Sequence, residues 1–349
     1  MQTFPTSLPH HRFAAAFLAL TLVPGVWTLS HTPVADLTRP SAALLSGSAQ
    51  RGYEQRFEQT FPLRDLARHS WTAFKIAALR EVSEGAVLGL NDTLFTTEEL
   101  AAPAPHPDFV TYLAMTKDKL SDHGITLFPV IVPDKARMMA TELGRARSSQ
   151  YQARYDLLLD QIASAGLQSI DLRPALSVSN SYMRTDTHWS PEGAAAAASA
   201  IATKIADLIP DHTTFRTSRT GTQTFRGDLI AFADAGPWQA RVGPAAEQIT
   251  TYQTEAVAPQ TLGLFDAAPP PVALVGTSFS ERADFHFLGF LKTKLRADVL
   301  SYAQAGRGPF TPMEQFLAQL TGASTADETP HIVIWEIPER YIQSWSDKP

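Results

Sequence analysis

Val272-Ala273-Leu274-Val275-Gly276-Thr277-Ser278-Phe279-Ser280 runs from four unbroken apolar residues straight into Gly-Thr-Ser. An apolar run without alternation, closed by turn residues, reads as a strand buried on both faces. A turn and then a helix, from about Phe279 to Leu295, are expected to follow. A serine at such a turn stands at the carboxyl edge of a parallel sheet, where ligands bind in α/β folds. Backbone N–H groups near a helix start favour negative charge and can hold a tetrahedral oxyanion. A serine that only caps the helix explains the same residues. Taken alone, the stretch leaves both readings open.

The neighbouring elements repeat the pattern. Ile125 to Val132 is a second near-continuous apolar run, Ser169 to Leu172 a short strand, and Ile332 to Ile337 another apolar strand. Helices are expected over Asp108 to His123, Gln150 to Ala165 and Pro191 to Ile209, the first two closed by Gly124 and Gly166. Alternating strands and helices imply an α/β fold, a parallel sheet wrapped by helices. Residues 211–258, rich in Thr and Gln, read as a possible insertion.

A second constellation is Thr185-Asp186-Thr187-His188-Trp189-Ser190-Pro191-Glu192-Gly193. Ser190 suits an N-cap, Pro191 the first helical position, and Glu192 the positive helix end. The segment before the helix is then extended, so Asp186 and His188, two apart, project the same way. A carboxylate beside a histidine orients it and stabilises its protonated form. A polar turn with a capping histidine is the competing account. Together the two constellations supply a nucleophile, a base and an orienting acid: Ser278, His188 and Asp186.

The 349 residues carry Lys+Arg 29 against Asp+Glu 35, a net charge of -6, and no cysteine. No large basic field exists to attract nucleic acid. Thiolate nucleophiles, disulfides and cysteine-held metals are excluded. The histidines show no metal-site spacing, and no cofactor is implied. Arg12 precedes an uncharged apolar run, Phe13 to Leu29, with no clean cleavage site after it. Residues 1–30 therefore read as a signal anchor or signal peptide, with an uncleaved inner-membrane anchor over 13–29 favoured and the rest in the periplasm. Residues 31–50 read as a linker, and 51–349 as one domain.

Asp186-Thr-His-Trp-Ser-Pro-Glu-Gly-Ala194, Gly276-Thr-Ser-Phe-Ser280 and Trp335-Glu-Ile-Pro-Glu-Arg-Tyr341 resemble the AlgJ and AlgX family of alginate O-acetylation proteins. Val132-Pro-Asp-Lys-Ala-Arg137 and Gly227-Asp228-Leu229 extend the resemblance, which spans roughly 50 to 349. The single apolar N-terminal segment, without an evident C-terminal carbohydrate-binding module, is more similar to AlgJ. The resemblance implies an SGNH-hydrolase-like three-layer α/β/α sandwich with a mostly parallel sheet. It implies Ser278 as the acetylated nucleophile, His188 as base then acid, and Asp186 as its orienter. It also implies an exopolysaccharide substrate and a membrane-bound O-acyltransferase that supplies acetyl groups. Two positions depart from the family pattern: Asn91-Asp92-Thr93-Leu94-Phe95 stands for Asp-Gly-Trp-Leu-Phe, and Phe279 for a common tyrosine.

Lys135 and Arg137, at a strand end, are candidates for an anionic sugar or the acetyl carbonyl, or are solvated loop charges. Arg340 and Tyr341 fit a site role or a structural ion pair equally. Trp189 can stack on a sugar or sit in the core, and Gly227-Asp228 reads as a structural turn. Two rival functions use the same residues: a carbohydrate acetylesterase with water as acceptor, and a non-catalytic polysaccharide-binding subunit.

Overall fold

The computed structural model describes residues 10–33, 41–100, 107–209, 213–257, 270–320 and 329–342. Two compact units are present, residues 1–79 with 234–243, and residues 80–233 with 244–349.

The first unit is helical. An apolar helix, His10–His31, is long enough to cross a membrane, with mean hydropathy 1.7 over Arg12–His31. Helices Ser41–Leu45, Ser48–Thr60 and Arg64–Phe74 follow, the last continuing into a π turn, Lys75–Leu79. Of the expected linker 31–50, residues 34–40 lie outside the described residues, and much of 41–50 is helical. The break at Phe61-Pro62 falls where proline denies the helix an N–H donor.

The second unit contains β1 (Ala86–Leu88), β2 (Leu94–Thr96), β3 (Thr126–Val132), β4 (Ile170–Asp171), β5 (Phe215–Phe225), β6 (Glu247–Ala256), β7 (Val272–Val275), β8 (Val299–Ser301) and β9 (Ile332–Pro338). Five of them form a parallel sheet in the order β4-β3-β9-β7-β8. β1 and β2 form a hairpin, and β5 and β6 a two-stranded antiparallel ribbon within the 211–258 segment.

The apolar runs become strands because both faces of the sheet are covered. Val130, Val132, Val272, Leu274, Ile332 and Ile334 face one core. Leu127, Ile131, Ala273, Val275, Val333 and Trp335 face the other. Adjacent strand residues point to opposite faces, so both sets must be apolar. The first core is closed by helices Pro191–Ile205 and Phe287–Leu295, and the second by Pro107–Ser121, Ser149–Ser164 and Phe310–Leu320. This is a three-layer α/β/α sandwich. Ala194, Ala197, Ala198, Ile201, Ala202 and Ile205 make one buried helix stripe, and small side chains let that helix lie close to the sheet.

Ser190 caps the Pro191–Ile205 helix, its Oγ accepting from the Gly193 N–H at 3.1 Å. Gly193 is required there, because a Cβ would stand 1.9 Å from the Ser181 carbonyl oxygen. The expected helix 279–295 is instead broken into Ser278–Glu281, a 3-10 turn Ala283–Phe285, and Phe287–Leu295. Arg282 is extended, and His286 sits in the left-handed region at φ 56, its Nε2 2.7 Å from Thr254 Oγ1. That break carries Phe285 to the ring of His188. β8 and the Phe310–Leu320 helix are additions that the sequence pattern did not announce.

Ile334 is fully buried in the central strand β9. Ile334→Ala should cost about 2–5 kcal/mol, from lost transfer energy and a residual cavity. A fall in the denaturant midpoint at unchanged slope checks this.

Candidate active site

Asp186 and His188, two residues apart, meet Ser278, 90 residues beyond His188, past the carboxyl ends of β7 and β9. Ser278 Oγ lies 2.7 Å from His188 Nε2, and His188 Nδ1 lies 2.6 Å from Asp186 Oδ1. The two ring nitrogens are thus shared between a hydroxyl and a carboxylate. With Asp186 ionised, Nδ1 carries the proton and Nε2 accepts from Ser278.

The local chain builds this arrangement. Tyr182 and Trp189 form an antiparallel bridge, and the Met183 N–H donates to the His188 carbonyl at 3.1 Å. The loop between them folds Asp186 back under the imidazole. Asp186 Oδ1 accepts the His188 backbone N–H at 2.9 Å, and Oδ2 accepts the Asp228 N–H at 2.9 Å. Arg282 adds a guanidinium 3.4 Å from Oδ2. Burial pushes the Asp186 carboxyl up. The His188 ring and charge and the two backbone donors outweigh that and bring it down to about 2. Asp228 braces the loop in turn, accepting from the Thr187 N–H at 2.9 Å and Thr187 Oγ1 at 2.6 Å. Gly227 permits this approach, since a Cβ there would lie 2.1 Å from the Thr185 carbonyl oxygen.

The serine turn is held from below. Glu336, in β9, accepts from the Thr277 N–H at 2.7 Å and from Ser280 Oγ and Thr277 Oγ1 at 3.0 Å. Its burial raises the carboxyl to about 7, against the opposing hydrogen bonds from Thr277 and Ser280. Gly276 leaves room for it, as a Cβ would lie 2.5 Å from Glu336 Oε2. The His188 ring packs between Phe279 and Phe285, with centroids 4.6 and 5.3 Å away.

Lys135 and Arg137 are neither sugar ligands nor solvated charges, and for Arg340 and Trp189 the structural reading holds. Lys135 is fully buried, and its ammonium donates to the carbonyls of Leu94, Arg184 and Asp186, leaving no proton for a sugar. Burial lowers it to about 8, with Glu99, Glu247, Asp186 and Asp228 opposing. It fastens the Asp186 loop to β2 and β3. Arg137 pairs with Glu339 at 2.6 Å. Glu339 also accepts from Arg154, which pairs with Asp134, in a buried ionic cluster. Arg340 is buried too, 3.4 Å from Glu98 and stacked over Phe279 and Tyr341, so the ion-pair reading describes it. Tyr341 is half-buried under that guanidinium. Trp189 has no exposed surface and packs on Phe279 and Phe287, so no face remains for a sugar.

Arg282 and Glu336 are the neighbours of the site that the sequence reading missed, while Asp228, read as part of a structural turn, braces the loop. Arg282 lies just past the Ser278–Glu281 helix, where the chain is extended, and no local signal marks it. Glu336 interrupts an apolar strand, and a buried carboxylate needs partners. Asp186, His188 and Asp228 also converge closely enough to suggest a cation site. Their ligand atoms are, however, engaged with one another, with Thr187 and with backbone N–H groups, so an ion would have to displace those bonds.

A parallel three-layer sandwich with serine, histidine and aspartate gathered at its carboxyl edge defines an SGNH-hydrolase-like domain. The sequence model described as "SGNH hydrolase-like domain, acetyltransferase AlgX" matches residues 86–339, and the chain belongs to that family. It is 31% identical over 350 residues to the probable alginate O-acetylase AlgJ of Pseudomonas syringae pv. tomato, covering 96% of this chain and 88% of that one. It is 32% identical over 359 residues to the Pseudomonas aeruginosa protein of the same name, covering 97% and 90%. The solved O-acetyltransferase domain of Pseudomonas putida AlgJ superposes with TM-score 0.63 at 32% identity, over 76% of this chain and 95% of that one. The structure of Pseudomonas aeruginosa AlgX shares the fold, with TM-score 0.60 at 24% identity, over 75% of this chain and 64% of that one.

Glu336 gives a pH signature. A carboxyl raised from 4.5 to about 7 binds more protons folded than unfolded between those values. Its contribution to stability is complete below pH 4.5 and is lost as pH rises through 7. Glu336→Gln should remove that slope, read as the difference in denaturant midpoint between pH 4.5 and 7.5.

Proposed function

We propose that this protein is a periplasmic O-acetyltransferase that works through an acetyl-Ser278 intermediate on hydroxyls of an exopolysaccharide of the alginate type. The 2.7 Å contact between Ser278 Oγ and His188 Nε2, continued at 2.6 Å to Asp186, carries this reading. Ser278 Oγ attacks the acetyl carbonyl as Nε2 takes its proton, and the donor's leaving group departs with that proton. A sugar hydroxyl then gives its proton to Nε2 and attacks the acetyl-serine, and the proton returns to Ser278 Oγ. Asp186 holds the tautomer and stabilises the imidazolium. The N–H groups of Thr277, Phe279 and Ser280 are engaged inside the turn. The Ser278 N–H is therefore the turn's donor to the oxyanion.

The relatives' names, which specify alginate O-acetylation, support the polymer class. The apolar helix His10–His31 supports anchoring to the inner membrane by residues 13–29. A membrane-bound O-acyltransferase would supply acetyl groups from across that membrane.

Incubation with an activated acetyl ester should add one acetyl mass to Ser278, discharged by a uronate oligosaccharide with product acetylation. Discharge to free acetate alone would make the protein an esterase. Ser278→Ala should lower turnover by on the order of 10⁴-fold or more with unchanged folding. Asp186→Ala should cost less, since it acts through His188. Full activity in either variant refutes the mechanism.

A further inference from the structure

The Arg64–Phe74 helix carries a feature that catalysis does not use. Its packing side presents Thr72, followed by Ile76 in the π turn, and both are buried. Its other side presents Ala67, Trp71 and Phe74, spaced four and three apart and therefore on one stripe. Trp71 is 57% exposed and Phe74 51%, and their rings stack at 5.4 Å. Leu66 and Trp238 widen the patch, with Trp238 Nε1 donating to Ser70 Oγ at 3.3 Å. Scattered exposed apolar residues are ordinary, but a contiguous aromatic patch marks an interaction surface.

Two observations identify what covers it. The same unit contains the membrane-length helix, and the Ser48–Thr60 helix touches it. Thr28 and Thr32, where that helix ends, are buried. The unit is thus gathered at the end of the span, and the Arg64–Phe74 helix follows Thr60 by only a short connection. Composition agrees. Residues 41–79 and 234–243 hold six Lys/Arg against four Asp/Glu, within a chain of net charge -6. Exposed Trp and Phe, with Arg64 and Arg68 beside them in exposed pairs with Glu58, Asp65 and Asp234, are the residue types of a helix lying at headgroup depth.

We propose that the Ala67–Trp71–Phe74 stripe, with Trp238, lies in the headgroup layer of the bilayer that the N-terminal helix crosses. This rests on the anchor reading of that helix. Lipid then covers the aromatic patch.

The chain has no cysteine, so single Ala67→Cys and Gln253→Cys variants can each carry one nitroxide. The full chain is reconstituted in nanodiscs of phosphatidylcholine, with and without phosphatidylglycerol. The label at 67 should collide more often with oxygen than with a water-soluble nickel complex, and the label at 253, on the exposed ribbon, should show the reverse. Equal nickel access at the two labels overturns the proposal. So does dipolar broadening at 67, which would place a second copy on the stripe. Intact mass of membrane-extracted protein separates the two claims. An intact N-terminal helix with a nickel-exposed label sinks the surface alone, whereas its cleavage sinks the anchor as well.

Discussion

A buried carboxylate at Asp186 constrains everything around it. An ionised carboxyl without water is costly unless hydrogen-bond donors replace its hydration. The fold supplies the His188 ring, the backbone N–H groups of His188 and Asp228, and the Arg282 guanidinium. To place those donors, the 183–188 loop must double back, Gly227 must press its backbone on Thr185, and Lys135 must tie down the loop carbonyls. The imidazole is a consequence of this packing. Its Nδ1 completes the shell of Asp186, so Nε2 can point only toward Ser278.

The serine is fixed by the same device from the opposite side. Glu336 is buried beneath the Gly276–Ser280 turn and binds three of its donors. Two carboxylates, one in a loop and one in the central strand, therefore bracket His188 and Ser278. Burial raises both. At Asp186 the His188 ring and charge and two backbone N–H donors outweigh it and hold the carboxyl near 2, whereas at Glu336 burial outweighs the bonds from Thr277 and Ser280 and the charge of Arg340, and the carboxyl rises to about 7. The low value keeps Asp186 ionised at neutral pH.

The division between what could and could not be read in the sequence follows from range. Val272–Val275 and Ile332–Pro338 were legible because burial on both faces leaves an unbroken apolar string. Ser190-Pro191 was legible because capping is local. The convergence of Ser278, His188 and Asp186 was legible because each sits at a strand end or helix start that a parallel sheet gathers at one edge. Lys135 misled, and Arg340 and Trp189 stayed open between two readings, because their partners lie far along the chain. The carbonyl acceptors of Lys135 are 41, 49 and 51 residues away. A lysine after a strand ordinarily faces water, and nothing local marks this one as buried. The break at Arg282 and His286 was hidden for the same reason. It is set by contacts to Asp284, Asp186 and Thr254, not by a helix-stopping residue.

That break also shapes the chemistry. A continuous helix from Phe279 would carry residues 282–286 away along its axis. Interrupted, the chain returns Phe285 to the imidazole and Arg282 to Asp186. The His188 ring then lies between two apolar faces, which removes water from its sides and leaves its charge to be met in the plane by Asp186. Ser278 itself stays half-exposed. His188 and Asp186 are thus dry while Ser278 keeps some access to solvent. The chemistry proposed for this site requires that difference, because only the side chain that meets a substrate has to be reached from outside.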